Sequence, residues 1–231
     1  MKALISILFA IAMGIVVSPV LGQAQDIRSF VRQVYIEGVP YEEATLFDPA
    51  TAVPTLLDML ADPSEEEHWP NIVITLGMLG DDRAVDPLIR FLKQGIPGRR
   101  LSHAHYVAKT GVVMALGYLI NQSGSQKALA YLKGSVKPGV WRERNTNWTS
   151  PYHATFDARN LQLSKMALLG LALSGHPSAA ETLRSLQRPA ISEVDRKFQT
   201  QVSVVVSEAL SAHATISWEG LASYDKRRRR R

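Results

Sequence analysis

The amino-acid sequence predicts an all-α protein built from repeated helical hairpins. Apolar residues occur at helical spacing on both sides of a tight turn at Gly80, at positions 72, 76 and 79 before it and 85, 88, 89 and 92 after it. The pattern recurs, because Leu76-Gly77 aligns with Leu116-Gly117 at an offset of 40 residues. The content of 46% apolar and 20% charged residues is ordinary for a globular protein of this length. These three observations together indicate a helical repeat protein.

The first elements are expected to cap the end of the repeat array. Residues 26–38 place apolar side chains on one helical face, and residues 41–47 predict a second short helix beside it. Asp48-Pro49 then opens a longer helix, because an acidic cap and an early proline both favour helix initiation. Asp62-Pro63 repeats this pattern, and the glutamates at 65–67 suit the positive end of a helix dipole.

The central turn joins two helices of one hairpin. Gly80 can adopt the left-handed backbone that ends the first helix, and Asp81 or Asp82 can accept from the free amides that begin the second. Gly77 has no side chain, so we expect a neighbouring helix to approach closely there. Leu76 is expected to be buried between repeats.

The second half of the chain contains a break in the repeat. A longer apolar helix is predicted over residues 101–120, and another helix follows a turn at 121–124. The next match begins at Leu171, 55 residues after Leu116 instead of about 40. The surplus is the stretch 137–156, which has no helical period. Ser192 then starts a capping box for a closing helix.

The central segment resembles the consensus of HEAT repeats, in particular the bilin-lyase-like subgroup common in bacteria. The resemblance rests on Leu76-Gly77, Leu79-Gly80-Asp81, the Arg-Ala-Val run at 83–85 and Pro87-Leu88. It is strong over residues 48–92 and fades beyond them. It implies a HEAT-like α-solenoid of about four helical hairpins, with one irregular insertion, that binds proteins.

The two ends of the chain differ from its body. Lys2 precedes an apolar run over residues 3–17 and small residues up to Ala24, as in a secretory signal peptide. A retained membrane anchor is the alternative, but the run is short for a bilayer span. We therefore expect a signal peptide over residues 1–24, a HEAT-like domain over 25–224 and a basic, disordered tail over 225–231. This division predicts a periplasmic or secreted protein with no transmembrane span after cleavage.

The net charge of +5 resides in that tail. The last seven residues hold six cations and one anion, and the remaining 224 residues carry 20 basic and 20 acidic side chains. The body is therefore neutral and gives no reason to expect specific nucleic-acid binding. The tail could bind an anionic lipid or polymer, or it could be a solvated end. Its candidate contacts are Lys226, Arg227, Arg228, Arg229, Arg230 and Arg231.

No catalytic motif is recognisable in the sequence. The absence of cysteine excludes disulfides, a thiol nucleophile, zinc–thiolate sites and iron–sulfur clusters. His103 and His105 are two residues apart and point in different directions on a helix, so they predict no metal site. None of the six histidines precedes a glutamate, as the di-iron ligands of deoxyhypusine hydroxylase do. We expect no enzyme activity, metal or cofactor, with an enzyme based on paired carboxylates as a remote alternative.

The insertion at 137–156 is the strongest candidate for a binding element. Insertions in repeat proteins map to loops on one face, often the binding face. Tryptophan, tyrosine and arginine dominate protein-interface energetics, and the insertion supplies the candidate contacts Trp141, Arg142, Arg144, Trp148 and Tyr152. Alternatively, the two tryptophans fold back and cover the helices.

The sequence as a whole predicts a non-catalytic scaffold that presents a rigid curved surface to a protein partner. The alternative is an envelope-surface module that is tethered through its arginine tail.

Overall fold

The computed structural model describes residues 26–95, 100–144, 146 and 148–229. The helices in chain order are α1 (Ile27–Val31), α2 (Tyr41–Ala44), α3 (Pro49–Ala61), α4 (Trp69–Leu79), α5 (Val85–Lys93), α6 (His103–Ser123), α7 (Gln126–Lys133), α8 (Val140–Glu143), α9 (Phe156–Ser174), α10 (Pro177–Ser185), α11 (Glu193–Glu219) and α12 (Leu221–Arg228), with 3₁₀ turns at Pro63–His68 and Asp82–Ala84. Within this part of the chain the predicted all-α fold is confirmed. None of these helices is long and apolar enough to cross a bilayer. The predicted signal peptide lies outside the described residues.

Helices α4, α6, α9 and α11 form a row in which each packs on the next. The shorter helices bridge neighbours in that row. Helix α5 packs on α6, α7 packs on both α6 and α9, and α10 packs on both α9 and α11. The sequential pairs α4/α5, α6/α7, α9/α10 and α11/α12 agree with the expectation of about four helical hairpins, and α1 to α3 precede them.

The first helix is shorter than its apolar pattern predicts. The pattern extends through residue 38, but α1 ends at Val31. The side-chain amide of Asn71 donates 2.9 Å hydrogen bonds to the carbonyl oxygens of Val31 and Gln33. These long-range bonds satisfy acceptors at the helix end, and the chain turns away. Val34 and Ile36 are consequently 92% and 98% exposed.

Small residues let the row of helices pack closely. Where α4 meets α6, a Cβ atom on Gly77 would lie 2.6 Å from the Cα of Ala115. Where α6 meets α9, a Cβ atom on Gly117 would lie 2.8 Å from the carbonyl carbon of Gly170. Both distances are shorter than a van der Waals contact. The predicted close approach at Gly77 is confirmed, and Leu76 is fully buried beside it.

Three successive helices of the row end in the same way. Gly80, Gly124 and Gly175 close α4, α6 and α9 with φ angles of 69°, 70° and 58°, a region that residues with a Cβ rarely adopt. After the first turn, the Asp81 carboxylate accepts a 2.8 Å hydrogen bond from the backbone amide of Arg83. Hydrogen bonds from Arg83 also lower the pKa of Asp81. Of the two predicted caps, Asp81 and not Asp82 takes this role.

The carboxyl-terminal residues 225–229 fold onto the protein. Residues 225–228 complete α12, and the buried Asp225 carboxylate accepts from Arg228 at 3.0 Å and from Arg229 at 2.7 Å. Arg229 also donates to the carbonyl oxygens of Gly38, at 3.1 Å, and Val39. The prediction of a disordered tail is therefore wrong for residues 225–229, because the fold brings these acceptors within reach. The remaining predicted contacts, Arg230 and Arg231, lie outside the described residues.

Candidate functional site

The predicted insertion lies between α7 and α9 and is attached to the start of α6. It contains the single-turn helix α8, where the sequence predicted no helix. The backbone amide of Leu101 donates a 3.1 Å hydrogen bond to the carbonyl oxygen of Thr149. The insertion therefore packs along the amino-terminal end of α6.

The two tryptophans of the insertion are inside the protein. Trp141 and Trp148 are both fully buried. The indole N–H of Trp141 donates to Ser164 Oγ at 3.1 Å, and that of Trp148 donates to the Leu92 carbonyl oxygen at 2.8 Å. Burial of a hydrogen-bonded indole removes a large apolar area from water without an unpaired donor. Both residues are therefore corrected from candidate partner contacts to structural anchors.

Arg144 also serves the interior of the insertion. Its guanidinium lies over the Tyr131 ring, 4.1 Å from the ring centroid, and donates to Ser135 Oγ. These contacts hold the end of α8 against α7. Arg144 is therefore another structural contact and not part of an exposed binding surface.

The insertion is held to the core by Arg159 in α9, a residue that no sequence motif singled out. Its buried guanidinium lies 4.8 Å from the Trp148 ring centroid and 4.7 Å from that of Phe156. It donates to the carbonyl oxygens of Trp148 and Thr146, the latter at 2.6 Å, and to Asn160 Oδ1. Burial lowers its pKa to about 10, so it remains charged at neutral pH. Arg159 stands four residues before Leu163, so a helix over this stretch places both side chains on one face. This spacing was the sequence signal for the burial of Arg159.

Several described side chains of the insertion face solvent, and these include one arginine and two aromatic residues. Tyr152 is 57% exposed, and its hydroxyl forms a hydrogen bond with His103 Nδ1. Phe156 is 51% exposed, and the exposed Arg142 pairs with Asp157. We call Arg142, Tyr152 and Phe156 the exposed edge. The structure thus leaves two of the five predicted contacts, Arg142 and Tyr152, available to a partner.

The two neighbouring histidines contact different groups. The His105 ring packs against Trp69 and Phe91, with centroid distances of 4.8 and 5.7 Å, whereas His103 packs edge-on against Tyr152. This divergence follows their spacing of two residues along a helix. In the described ranges, no three or more histidine, cysteine, aspartate or glutamate residues are grouped so that they could hold a metal ion.

The predicted anionic-surface contacts of the tail have partners inside the molecule. Arg227 pairs with Glu219 at the end of α11, and Arg228 and Arg229 pair with Asp225. Lys226 is exposed. Three of the predicted surface cations are therefore engaged within the fold.

Comparison with known proteins assigns a family to the central hairpin. The family model of the PBS lyase HEAT-like repeat matches residues 71–94, which cover most of α4, the turn at Gly80 and α5. Neither the curated proteins nor the solved structures give a match. The matched segment contains the close approach at Gly77 and the left-handed Gly80. The hairpin formed by α4 and α5 is therefore similar to a PBS lyase HEAT-like repeat, in agreement with the resemblance seen in the sequence, and the family match extends over residues 71–94.

Proposed function

We propose that this HEAT-repeat protein is a non-catalytic scaffold that binds a protein partner through its exposed edge. The observation that carries the proposal is the division of the insertion into two sides. Trp141, Trp148 and Arg159 anchor its inner side, and the exposed edge lies on the outer side. A partner would meet aromatic and arginine side chains on a loop that is already ordered.

Two physical effects favour this surface. Aromatic and arginine residues contribute most of the binding free energy at many interfaces. A loop held in one conformation before binding loses less conformational entropy on association than a flexible loop. Tyr152 is held by His103 and by the Tyr106 ring, 5.1 Å away between centroids, so its half-exposed ring is already oriented.

Photo-crosslinking in the native cells tests the proposal. The full chain carries p-benzoylphenylalanine at position 152, and a matched control carries it at position 46, where Leu46 is 85% exposed outside the insertion. We expect a discrete crosslinked protein at position 152 and none at 46. Equal labelling at both positions, or no crosslink at 152, would contradict the proposal.

A substitution series then measures the contribution of the exposed edge to partner capture. The double variant Tyr152→Ala/Phe156→Ala should weaken capture by about 1–3 kcal/mol for each residue that contacts the partner. The control Val34→Ala/Ile36→Ala removes two exposed apolar side chains elsewhere and should capture normally. Equal losses in both variants would indicate non-specific apolar association.

We propose further that the scaffold functions in the periplasm or outside the cell. The support is the signal-like pattern of residues 1–24. Mass spectrometry of the protein from its native cells should find Gln25 or Gln23 at the amino terminus. Intact Met1 on protein from the cytoplasm would argue against export.

A further inference from the structure

A pocket of about 820 Å³ opens between the 3₁₀ turn Pro63–His68, the carboxyl end of α5 and the amino end of α6. Its volume lies within the range of roughly 300–1,000 Å³ typical of small-molecule sites. None of the three residues of the exposed edge lines it, and the proposed partner binding does not involve it.

One wall of the pocket is aromatic. Trp69 and Phe91 pack edge-to-face with ring centroids 5.3 Å apart, and His105 packs against both. The Trp69 indole N–H donates to the Met59 carbonyl oxygen at 3.2 Å. Because that donor is already satisfied, Trp69 offers the pocket an apolar surface.

The Lys109 side chain lies in the wall of the same pocket and is 1% exposed. Its ammonium donates to the carbonyl oxygens of Phe91 and Gln94 and lies 4.5 Å from the Phe91 ring centroid. An ammonium has three donors, so these carbonyls use two. Desolvation, with no compensating carboxylate, lowers its pKa to about 7. The ammonium therefore caps the carbonyl end of α5, and the two carbonyl oxygens carry no negative charge that would neutralise it.

The charged side chains that line the pocket carry a net positive charge. Lys93, Arg100 and Lys109 are basic, and Glu66 is acidic. Glu66 is hydrogen-bonded to Ser102 and lies 4.0 Å from His105. The pocket thus combines an apolar wall with an excess of positive charge, which favours an anionic ligand with an apolar body.

We propose that this pocket binds a small organic carboxylate with a flat, apolar body of one or two rings. The carboxylate accepts a hydrogen bond from the Lys109 ammonium, and the rings lie against Trp69 and Phe91. The ligand supplies the counter-charge that the protein omits, since a buried ammonium gains most from a carboxylate at hydrogen-bond distance. This small-molecule site goes beyond the proposed scaffold function and does not depend on it.

The test compares 2-naphthoate with its neutral analogue 2-naphthalenemethanol, titrated into the full chain at pH 7 by calorimetry. We expect 2-naphthoate to bind at least tenfold more tightly. Lys109→Met should reduce 2-naphthoate affinity to that of the alcohol, whereas Lys127→Met, on the exposed surface of α7, should change neither. Equal affinity of the two probes, or full 2-naphthoate affinity in Lys109→Met, would overturn the proposal.

A second measurement does not require a variant to fold. The indole N–H resonances of the four tryptophans can be followed by NMR during the 2-naphthoate titration. Binding in the pocket should shift the Trp69 resonance and leave that of Trp218, which is 88% exposed on α11, in place. A shift of Trp218 without a shift of Trp69 would show non-specific surface contact and refute the site.

Discussion

At the residue scale, Gly77 and Gly111 are both glycines within long helices, but their surroundings differ. A Cβ on Gly77 would meet the backbone of Ala115, which cannot rotate away. A Cβ on Gly111 would lie 3.8 Å from the side-chain tips of Ile74 and Val73, an ordinary contact. Helix packing therefore requires glycine at position 77 and merely permits it at position 111.

This difference predicts opposite effects for the same substitution. Gly77→Ala should lower the free energy of unfolding by about 1–3 kcal/mol, because the two helices must separate. Gly111→Ala should be neutral or should raise it by about 0.5–1 kcal/mol, because alanine favours the helix. Urea unfolding of both variants gives the comparison. Equal midpoints would contradict the observed crossing of α4 and α6.

Lys109 predicts a pH dependence of stability. Its pKa is about 7 in the folded protein and 10.5 without burial, so between these values the unfolded chain binds more protons. The free energy of unfolding should therefore rise with pH from about 7 to 10, with a contribution from Lys109 of up to about 1.4 kcal/mol per pH unit. Below pH 7 this contribution should level off.

The measurement is urea unfolding of the wild type and of Lys109→Met at several pH values. The wild type should gain stability relative to Lys109→Met as the pH rises, because methionine cannot bind a proton. Lys127→Met, which lacks an exposed lysine, should remain parallel to the wild type. Parallel curves for Lys109→Met as well would show that Lys109 keeps an ordinary pKa.

At the element scale, the insertion behaves as an extension of the core with one solvent-facing side. Trp148 reaches across to the end of α5 through its bond to Leu92, and Arg159 binds the insertion backbone from α9. The insertion is therefore attached to the hairpins on both sides of it. These buried contacts fix the position of the exposed edge.

Two tryptophans provide a matched test of this organisation. Trp148→Ala should cost about 3–5 kcal/mol of unfolding free energy, because it leaves a large cavity. Trp218→Ala removes the same side chain from a position that is 88% exposed, so it should cost little. Chemical unfolding of the two variants measures the difference in their unfolding free energies. A small loss for Trp148→Ala would mean that the insertion is not anchored in the core.

At the scale of the whole molecule, α12 connects the last hairpin to the first elements. It packs on α11 and also on α2. Near Tyr118 of α6 it places Arg228 and Asp225, and burial raises the pKa of Tyr118 to about 12. Arg229 completes the connection through the carbonyl oxygens of Gly38 and Val39. The two ends of the helical array are thus coupled directly.

This coupling predicts a stabilising role for one arginine. Arg229→Gln should lower the free energy of unfolding by about 1–3 kcal/mol, because the buried Asp225 loses a charged partner. Lys226→Gln removes the same charge from an exposed position in α12 and should have little effect. Thermal unfolding of both variants makes the comparison. Equal melting temperatures would show that α12 does not secure the fold.

The same contacts bear on the tethering hypothesis. Because Arg227, Arg228 and Arg229 have partners within the protein, we expect weak attraction to anionic membranes. Full-length protein and a variant that lacks residues 226–231 should co-sediment alike with phosphatidylserine vesicles at low salt. Strong sedimentation of the full-length chain alone, abolished by high salt, would instead support a tether.

Local patterns account for what could be predicted about the fold. Helical periodicity places Leu76 in the core, and the short helix turn requires a left-handed residue at Gly80. These features depend on residues within about two helical turns of each other, so they can be predicted from the local sequence. The recurrence of helical hairpins and the irregularity at 137–156 follow from such patterns, whereas α12 was not predicted.

Tertiary structure decided which residues of the insertion and tail are accessible. Trp148 is buried by a bond to Leu92, 56 residues away, and Arg229 binds Gly38 from a distance of 191 residues. The spacing of an aromatic or basic residue does not show whether a distant carbonyl will lie within 3 Å of it. The helical repeat and the position of the insertion therefore follow from local sequence patterns. Long-range packing makes the tryptophans of the insertion buried anchors and leaves Arg142 and Tyr152 exposed to solvent.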